Sequence, residues 1–132
     1  MKNYFLIAFM FLMAFSSCQQ KNSQSVAPAK QEVVDNKRYV LFPTENIWTF
    51  LKLDTKYGKI WQVQYSIEEN LRGEVELNTK ALVPDDAAEN GRFTLYPTKN
   101  IYNFILLDQK DGKMWQVQWS TEADSRFLIP MQ

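Results

Sequence analysis

Histidine is absent from this 132-residue chain, and its absence removes the side chain that enzymes use most often as a general base. A Ser-His-Asp arrangement and a histidine-ligated metal are excluded for the same reason. The four glycines, at positions 58, 73, 91 and 112, are too scattered to form a phosphate-binding loop. We therefore predict no enzymatic activity, no cofactor and no metal site. Carboxylate chemistry is the catalytic route that composition leaves open.

An excess of either charge is also lacking, because 15 Lys or Arg balance 15 Asp or Glu. A near-zero net charge gives no electrostatic reason to expect a nucleic acid as partner. Cysteine occurs once, at position 18, so no disulfide can form within the chain. The position of this cysteine therefore needs another explanation.

The cysteine follows an N-terminal segment, MKNYFLIAFMFLMAFSS, that has the layout of a secretory signal peptide. Lys2 supplies the positive charge, and an apolar run of 12 residues extends from Tyr4 to Phe15. That run is shorter than the roughly 18 residues that a membrane-spanning helix needs. A permanent transmembrane helix is therefore the weaker interpretation.

Residues Phe15, Ser16, Ser17 and Cys18 resemble the lipobox of bacterial lipoproteins, in which signal peptidase II cleaves before a cysteine that carries acyl chains. The family usually has Leu at the first of these positions and Gly or Ala at the third, where this chain has Phe and Ser. The resemblance implies a signal peptide at residues 1–17, lipidation of Cys18 and a lipid-anchored location in the bacterial cell envelope, with the outer membrane expected. The alternatives are ordinary cleavage after Ser16 and a cysteine without a role.

An internal repeat organises the rest of the chain. Arg38–Ser66 and Arg92–Ser120 are identical at 17 of 29 positions without a gap, and the tetrapeptide WQVQ occurs in both. Such a match indicates duplication of one unit, with repeats at residues 38–78 and 92–130. The polar residues 18–36 lack aromatics and predict a flexible tether. Residues 37–132 then form a single domain.

Each repeat has the pattern of a β-hairpin, with two runs rich in β-branched and aromatic residues around a short glycine-containing turn. Gly58 and Gly112 begin the returning strands, and Asp54 and Asp108 lie where they can accept hydrogen bonds from turn amides. A helix over residues 44–53 is the competing interpretation. The sequence thus predicts an all-β domain of two related antiparallel units with three to four strands each. We expect these units to pack as a small sandwich or barrel with pseudo-twofold symmetry.

Side-chain alternation divides the WQVQ strands into two sets. Trp61, Val63 and Tyr65, with their equivalents in the second repeat, are predicted to face the core. The glutamines then line the opposite face, either in water or as a buried and paired amide ladder. The preceding strand, IWTFLKLD, is apolar on both faces, which suits a strand with some cover on each side.

The candidate ligand-binding residues are the four repeated glutamines and two aromatic residues at equivalent positions: Gln62, Gln64, Gln116, Gln118, Trp48 and Tyr102. Core packing is the competing role for the two aromatics. Four arginines also recur at the ends of the repeats: Arg38 with Arg92, and Arg72 with Arg126. We expect them to bond to carbonyls or to Glu68 and Glu122, with a ligand carboxylate or phosphate as the alternative.

The pattern L-D-x-x-x-G-K-x-W-Q-V-Q, present in both repeats, resembles small bacterial envelope proteins of unassigned function that carry such a hairpin. This resemblance covers residues 38–120 and implies no activity. We expect a non-catalytic, membrane-anchored binding or interaction module whose partner is an envelope protein or glycan. The alternatives are a structural or self-associating accessory protein that uses exposed strand edges and a carboxylate-dependent hydrolase.

Overall fold

A computed structural model of the protein describes residues 36–132. The predictions of a signal peptide and of lipidation at Cys18 fall outside the described residues, as does the predicted tether over residues 18–36 except for its last residue. Within the described part of the chain, no helix is long and apolar enough to cross a membrane.

Eight antiparallel strands form two separate four-stranded sheets, one from each repeat. The first sheet contains β1 (Tyr39–Pro43), β2 (Thr49–Asp54), β3 (Lys59–Gln64) and β4 (Gly73–Asn78) in that order. The second contains β5 (Phe93–Pro97), β6 (Asn103–Asp108), β7 (Met114–Gln118) and β8 (Phe127–Met131). Helical structure in residues 36–132 is limited to three 3-10 turns, at Glu69–Leu71, Asp85–Ala87 and Ala123–Ser125. The prediction of an all-β domain of two duplicated antiparallel units is confirmed, and of the two expected arrangements, sandwich and barrel, the separate sheets form the sandwich.

Turn chemistry fixes the hairpins of both repeats. Gly58 and Gly112 have φ angles of 72° and 71°, a backbone conformation that is costly for a residue with a side chain. At the turn entrances, Asp54 Oδ1 accepts a hydrogen bond from the Lys56 amide at 3.0 Å, and Asp108 Oδ1 accepts one from the Lys110 amide at 3.0 Å. These bonds satisfy turn amides that no strand reaches.

The competing helix over residues 44–53 does not form. Instead, the Thr44 hydroxyl donates to the carbonyls of Asn46 and Thr49 and closes a turn before β2. The same bonds recur in the second repeat, from Thr98 to Asn100 and Asn103. The Pro-Thr-x-Asn segment therefore sets where the second strand of each repeat begins.

Cross-strand pairing defines two faces for each sheet, because neighbours in register lie on the same face. The glutamine face of the first sheet contains Val40, Phe42, Leu51, Leu53, Ile60 and Gln62, and its tryptophan face contains Tyr39, Leu41, Phe50, Lys52, Trp61 and Val63. In the second sheet the equivalent glutamine face contains Thr94, Tyr96, Ile105, Leu107, Met114 and Gln116, and the tryptophan face contains Phe93, Leu95, Phe104, Leu106, Trp115 and Val117.

The two sheets bury opposite faces. A single core cluster joins residues of the glutamine face of the first sheet to residues of the tryptophan face of the second, and Trp119 belongs to it: Leu51, Leu53, Ile60, Phe93, Leu95, Phe104, Leu106, Val117 and Trp119. The sandwich therefore packs one kind of face against the other kind. The expected pseudo-twofold relation does not extend to the face that each sheet buries.

This packing corrects the predicted core of the first repeat. Val117 and Trp119 are buried as expected, but their equivalents Val63 and Tyr65 are not, and Tyr65 is 47% exposed. Gln62 occupies the buried side instead. Alternation determines which residues share a face, but the partner sheet decides which of two apolar faces is covered.

Candidate functional site

Each repeat places an arginine from the strand start against the aspartate of the hairpin turn. Arg92 donates to Asp108 through Nε and Nη2 at 2.8 to 3.2 Å, and also to the Ala87 carbonyl at 2.6 Å. Arg38 contacts Asp54 at 3.3 Å with a half-exposed side chain. The expected bond to a carbonyl is confirmed for Arg92. The alternative partners Glu68 and Glu122 are wrong for these two arginines, because their carboxylate partners are the buried Asp54 and Asp108 of the turns.

The ion pair between Arg92 and Asp108 stabilises the hairpin turn of the second repeat. Burial alone would raise the pKa of Asp108, but hydrogen bonds from Arg92 and from the Lys110 and Asp111 amides outweigh it and lower the pKa below its usual value. The same contact raises the pKa of Arg92. An ionised carboxylate paired in this way holds a turn in place.

Trp48 and Tyr102 are both about half exposed, and each packs inside its own repeat. The Trp48 ring lies 5.4 Å from Tyr65, and the Tyr102 ring lies 5.4 Å from Trp119. These tilted pairs have the geometry that aromatic rings prefer. The contacts do not bring the two predicted residues into one platform.

The four glutamines separate into two groups. Gln116 Nε2 donates to Asn103 Oδ1 at 2.7 Å, and Gln118 Nε2 donates to the Ser125 carbonyl at 2.9 Å, both on the outer face of the second sheet. Gln62 and Gln64 lie on the inner face of the first sheet. Gln62, Gln116 and Gln118 each form their hydrogen bond with a group other than a second glutamine. The alternative of an amide ladder is therefore wrong.

Gln62 and Gln64 lie beside a cleft of about 310 Å³, which we call the seam cleft because both repeats line it. Its polar and apolar walls include Gln62, Gln64, Arg72, Val75, Thr121 and Arg126. The first four come from β3, β4 and the segment between them, and the last two follow β7. The cleft thus unites two of the predicted glutamines with one repeated pair of arginines.

The two arginines of the seam cleft are held differently. Arg126 donates from Nε to the Ser120 carbonyl at 2.9 Å and from Nη2 to the Thr121 carbonyl at 3.3 Å, which confirms the expected bonds to carbonyls. Arg72 makes no ion pair or side-chain hydrogen bond within residues 36–132. Its five donors therefore remain available to a ligand.

The acidic residue of the lining does not neutralise these guanidinium groups. Glu74 pairs with Val63 across the ladder, so its side chain lies on the tryptophan face of the first sheet. There it forms an ion pair with Lys52. The seam cleft therefore has a local positive charge even though the chain as a whole is neutral.

Gln62 adds a buried polar group to the seam cleft. The residue is only 5% exposed, and its Oε1 accepts a hydrogen bond from the Ser120 amide at 3.2 Å. No acceptor for its Nε2 is present in the described range. Every described side-chain polar atom that is fully shut off from solvent has a partner, so this Nε2 is reached from the cleft.

Comparison with known proteins gives no relative: no protein-family model, curated protein or solved structure matches the chain. Among residues 36–132, no cluster of three or more His, Cys, Asp or Glu has an arrangement that could hold a metal ion. The case for a site therefore rests on the seam cleft itself. The sequence shows that Arg72 and Arg126 recur, but it does not indicate that both lie beside Gln62 and Gln64. The two repeats supply different walls of the cleft, and these walls meet only in the folded sandwich.

Proposed function

We propose that this chain is a non-catalytic binding module of the bacterial cell envelope, anchored by a lipidated Cys18, which binds an anionic group of an envelope glycan or peptide in the seam cleft. One observation carries the proposal. Gln62, buried to 95%, presents an unbonded amide to a cleft that also contains the guanidinium groups of Arg72 and Arg126. Because the Nε2 of Gln62 is reached from the cleft, a ligand acceptor would replace water there and add a hydrogen bond that contributes about 0.5 to 1.5 kcal/mol.

The donor set favours a carboxylate or a phosphate. Arginine presents a planar fork that bonds both oxygens of such a group, and the Gln62 amide adds a neutral donor from the floor. The apolar side chain of Val75 and the hydroxyl of Thr121 border the same space, which suits a sugar ring or a short side chain. A cleft of about 310 Å³ matches the lower end of the roughly 300 to 1,000 Å³ of small-molecule sites.

The binding test compares acidic and neutral forms of the same ligands. An array of envelope glycans and peptidoglycan fragments, with each carboxylate or phosphate paired to its amide or unmodified analogue, is screened first. Calorimetry then gives the affinity of each hit. We expect the acidic member of a pair to bind and the affinity to fall with added salt, because charge-assisted bonds in an open cleft are screened.

Arg72→Ala is the diagnostic variant, since Arg72 is exposed and its side chain forms no hydrogen bond or ion pair within residues 36–132. Loss of a charge-assisted hydrogen bond of about 1.5 to 3 kcal/mol corresponds to a roughly tenfold to hundredfold weaker affinity. Lys99→Ala is the matched control, because it removes one exposed positive charge from a turn outside the cleft. Equal losses in the two variants, or equal binding of acidic and neutral ligands, would refute the proposal.

Anchoring has a separate test in cells. Globomycin, or the substitution Cys18→Ala, should leave an unprocessed chain with a larger apparent mass and should change its membrane fractionation. If mass and fractionation stay the same under both treatments, lipidation of Cys18 is wrong. That result would leave the binding test unaffected.

A further inference from the structure

The contact between the two sheets is heterologous, because the glutamine face of one repeat meets the tryptophan face of the other. A contact between unlike faces does not close on itself. After the sandwich forms, the tryptophan face of the first sheet and the glutamine face of the second sheet remain on the outside. These are the two kinds of face that already pack together once within the chain.

The apolar residues of the free tryptophan face on β1, β2 and β3 match those of its buried counterpart. Tyr39 stands for Phe93, Leu41 for Leu95, Phe50 for Phe104, Trp61 for Trp115 and Val63 for Val117. Leu41 is 52% exposed where its equivalent is buried. On β4, Glu74 and Glu76 occupy the positions of Leu128 and Pro130, so the exposed apolar surface that can dock lies on β1, β2 and β3.

The free glutamine face shows the same relation to the buried glutamine face of the first sheet. Ile105 stands for Leu51, Leu107 for Leu53, and Met114 for Ile60, and the next strand adds the exposed Ile129 and Met131. No charged residue belongs to the strand positions that form this face. A face without charge is most favourably covered by another apolar face.

A polar match accompanies the apolar one. Inside the chain, Gln62 Oε1 accepts a hydrogen bond from the Ser120 amide across the seam. The equivalent groups outside the seam are Gln116 Oε1 and the Ser66 amide. Gln116 uses its Nε2 as a donor to Asn103, and neither its Oε1 nor the Ser66 amide has a hydrogen-bond partner within residues 36–132. Two copies can therefore repeat the same hydrogen bond between molecules.

We propose that copies of this chain stack head to tail, with the free glutamine face of one copy on the free tryptophan face of the next. The occupant is a second copy because the chain already contains the same contact, built from the equivalent apolar positions of the first three strands of each sheet. Glu74 is the one residue that the two surfaces share with the lining of the seam cleft, and its side chain lies away from the guanidinium groups, so stacking and ligand binding are separable. The contact uses sheet faces and leaves the strand edges uninvolved.

Lys52 sets the strength of the stack. It replaces the buried Leu106 of the second repeat, and its ammonium lies 4.6 Å from the centre of the Trp61 ring while it pairs with Glu74. Covering this ion pair removes it from water and weakens the contact relative to the internal one. The association is therefore reversible, and Lys52→Leu should strengthen it.

Cross-linking in cells tests the geometry with the full chain. One copy carries Ser66→Cys and one tag, the other carries Ile129→Cys and a second tag, and both are made in the same bacterial cells before treatment with a permeant bismaleimide. Heterologous stacking predicts a product that contains both tags. The unaltered chain, whose single cysteine is Cys18, gives the background.

Two further variants of the Ser66→Cys copy test the surface itself. Leu41→Lys should reduce the two-tag product at least fivefold, and Lys52→Leu should increase it at least twofold. Ile47→Lys is the matched control, because Ile47 is 71% exposed in a turn outside both faces and should leave the yield unchanged. Near-ultraviolet circular dichroism of the purified variants checks that each is folded.

The proposal is overturned if every cross-linked product carries a single tag or contains only another protein as partner. It is also overturned if no product rises above background. Equal yields from Leu41→Lys and Ile47→Lys would do the same, because the cross-link would then not depend on the tryptophan face.

Discussion

Duplication supplies two equivalent ion pairs that should contribute unequally to the free energy of unfolding. Arg92 and Asp108 have side chains that are 5% and 1% exposed, and Arg92 also bonds to the Ala87 carbonyl and to Asp111. Arg92→Met keeps the aliphatic stem but leaves a buried carboxylate without its cation. Breaking a buried pair on one side costs about 3 to 5 kcal/mol, which is a large part of the roughly 5 to 15 kcal/mol that stabilises a typical domain.

The equivalent change in the first repeat, Arg38→Met, removes one contact of 3.3 Å from a side chain that is 47% exposed. Asp54 is itself buried, but it keeps the hydrogen bond from the Lys56 amide and loses one contact where Asp108 loses three. We therefore expect a smaller loss of about 1 to 3 kcal/mol. Urea unfolding, followed by tryptophan fluorescence on the chain from residue 18 with Cys18→Ala, measures both values. Equal losses, or a loss below about 1 kcal/mol for Arg92→Met, would refute the assignment of the second pair as the buried structural element.

Three other predictions concern stability. Leu95→Ala should cost about 2 to 5 kcal/mol because it opens a cavity in the core, whereas Leu41→Ala at the equivalent exposed position should cost under about 0.5 kcal/mol; equal values in urea unfolding would contradict the opposite-face packing. Gly58→Ala should reduce the melting temperature more than Gly112→Ala, because both residues have positive φ but a Cβ at Gly58 would lie 2.7 Å from a leucine side chain, while nothing lies within 4 Å at Gly112. Folding lowers the pKa of Asp108, so the ionised carboxylate contributes fully to the free energy of unfolding above its usual pKa of about 3.8, and this contribution is lost as the pH falls through the lowered folded value. A melting temperature independent of pH between about 5 and 2 would contradict this.

The sequence predicted the strands and the sandwich because both depend on local signals. Hairpin turns follow from Gly58 and Gly112, whose φ angles are positive, and the duplicated pattern implies that both repeats fold alike. The covered face was not predicted for the first repeat, since either face of β2 offers enough apolar surface. One signal was present at Lys52, which lies in the middle of β2 on the same face as Trp61, where the second repeat has Leu106. The seam cleft depends on how the sheets meet, which no pattern within one repeat encodes.

The residues at positions 52 and 106 explain why the two sheets bury unlike faces. Two identical two-faced sheets could bury equal faces or unlike faces. Covering the tryptophan face of the first sheet would take Lys52 and Glu74 out of water, at a cost that their mutual attraction does not reliably offset. The second sheet has Leu106 at that position, which is fully buried, so its tryptophan face is the better one to cover. Divergence at positions 52 and 106 therefore selects the unlike pairing, and that pairing leaves one face of each kind outside.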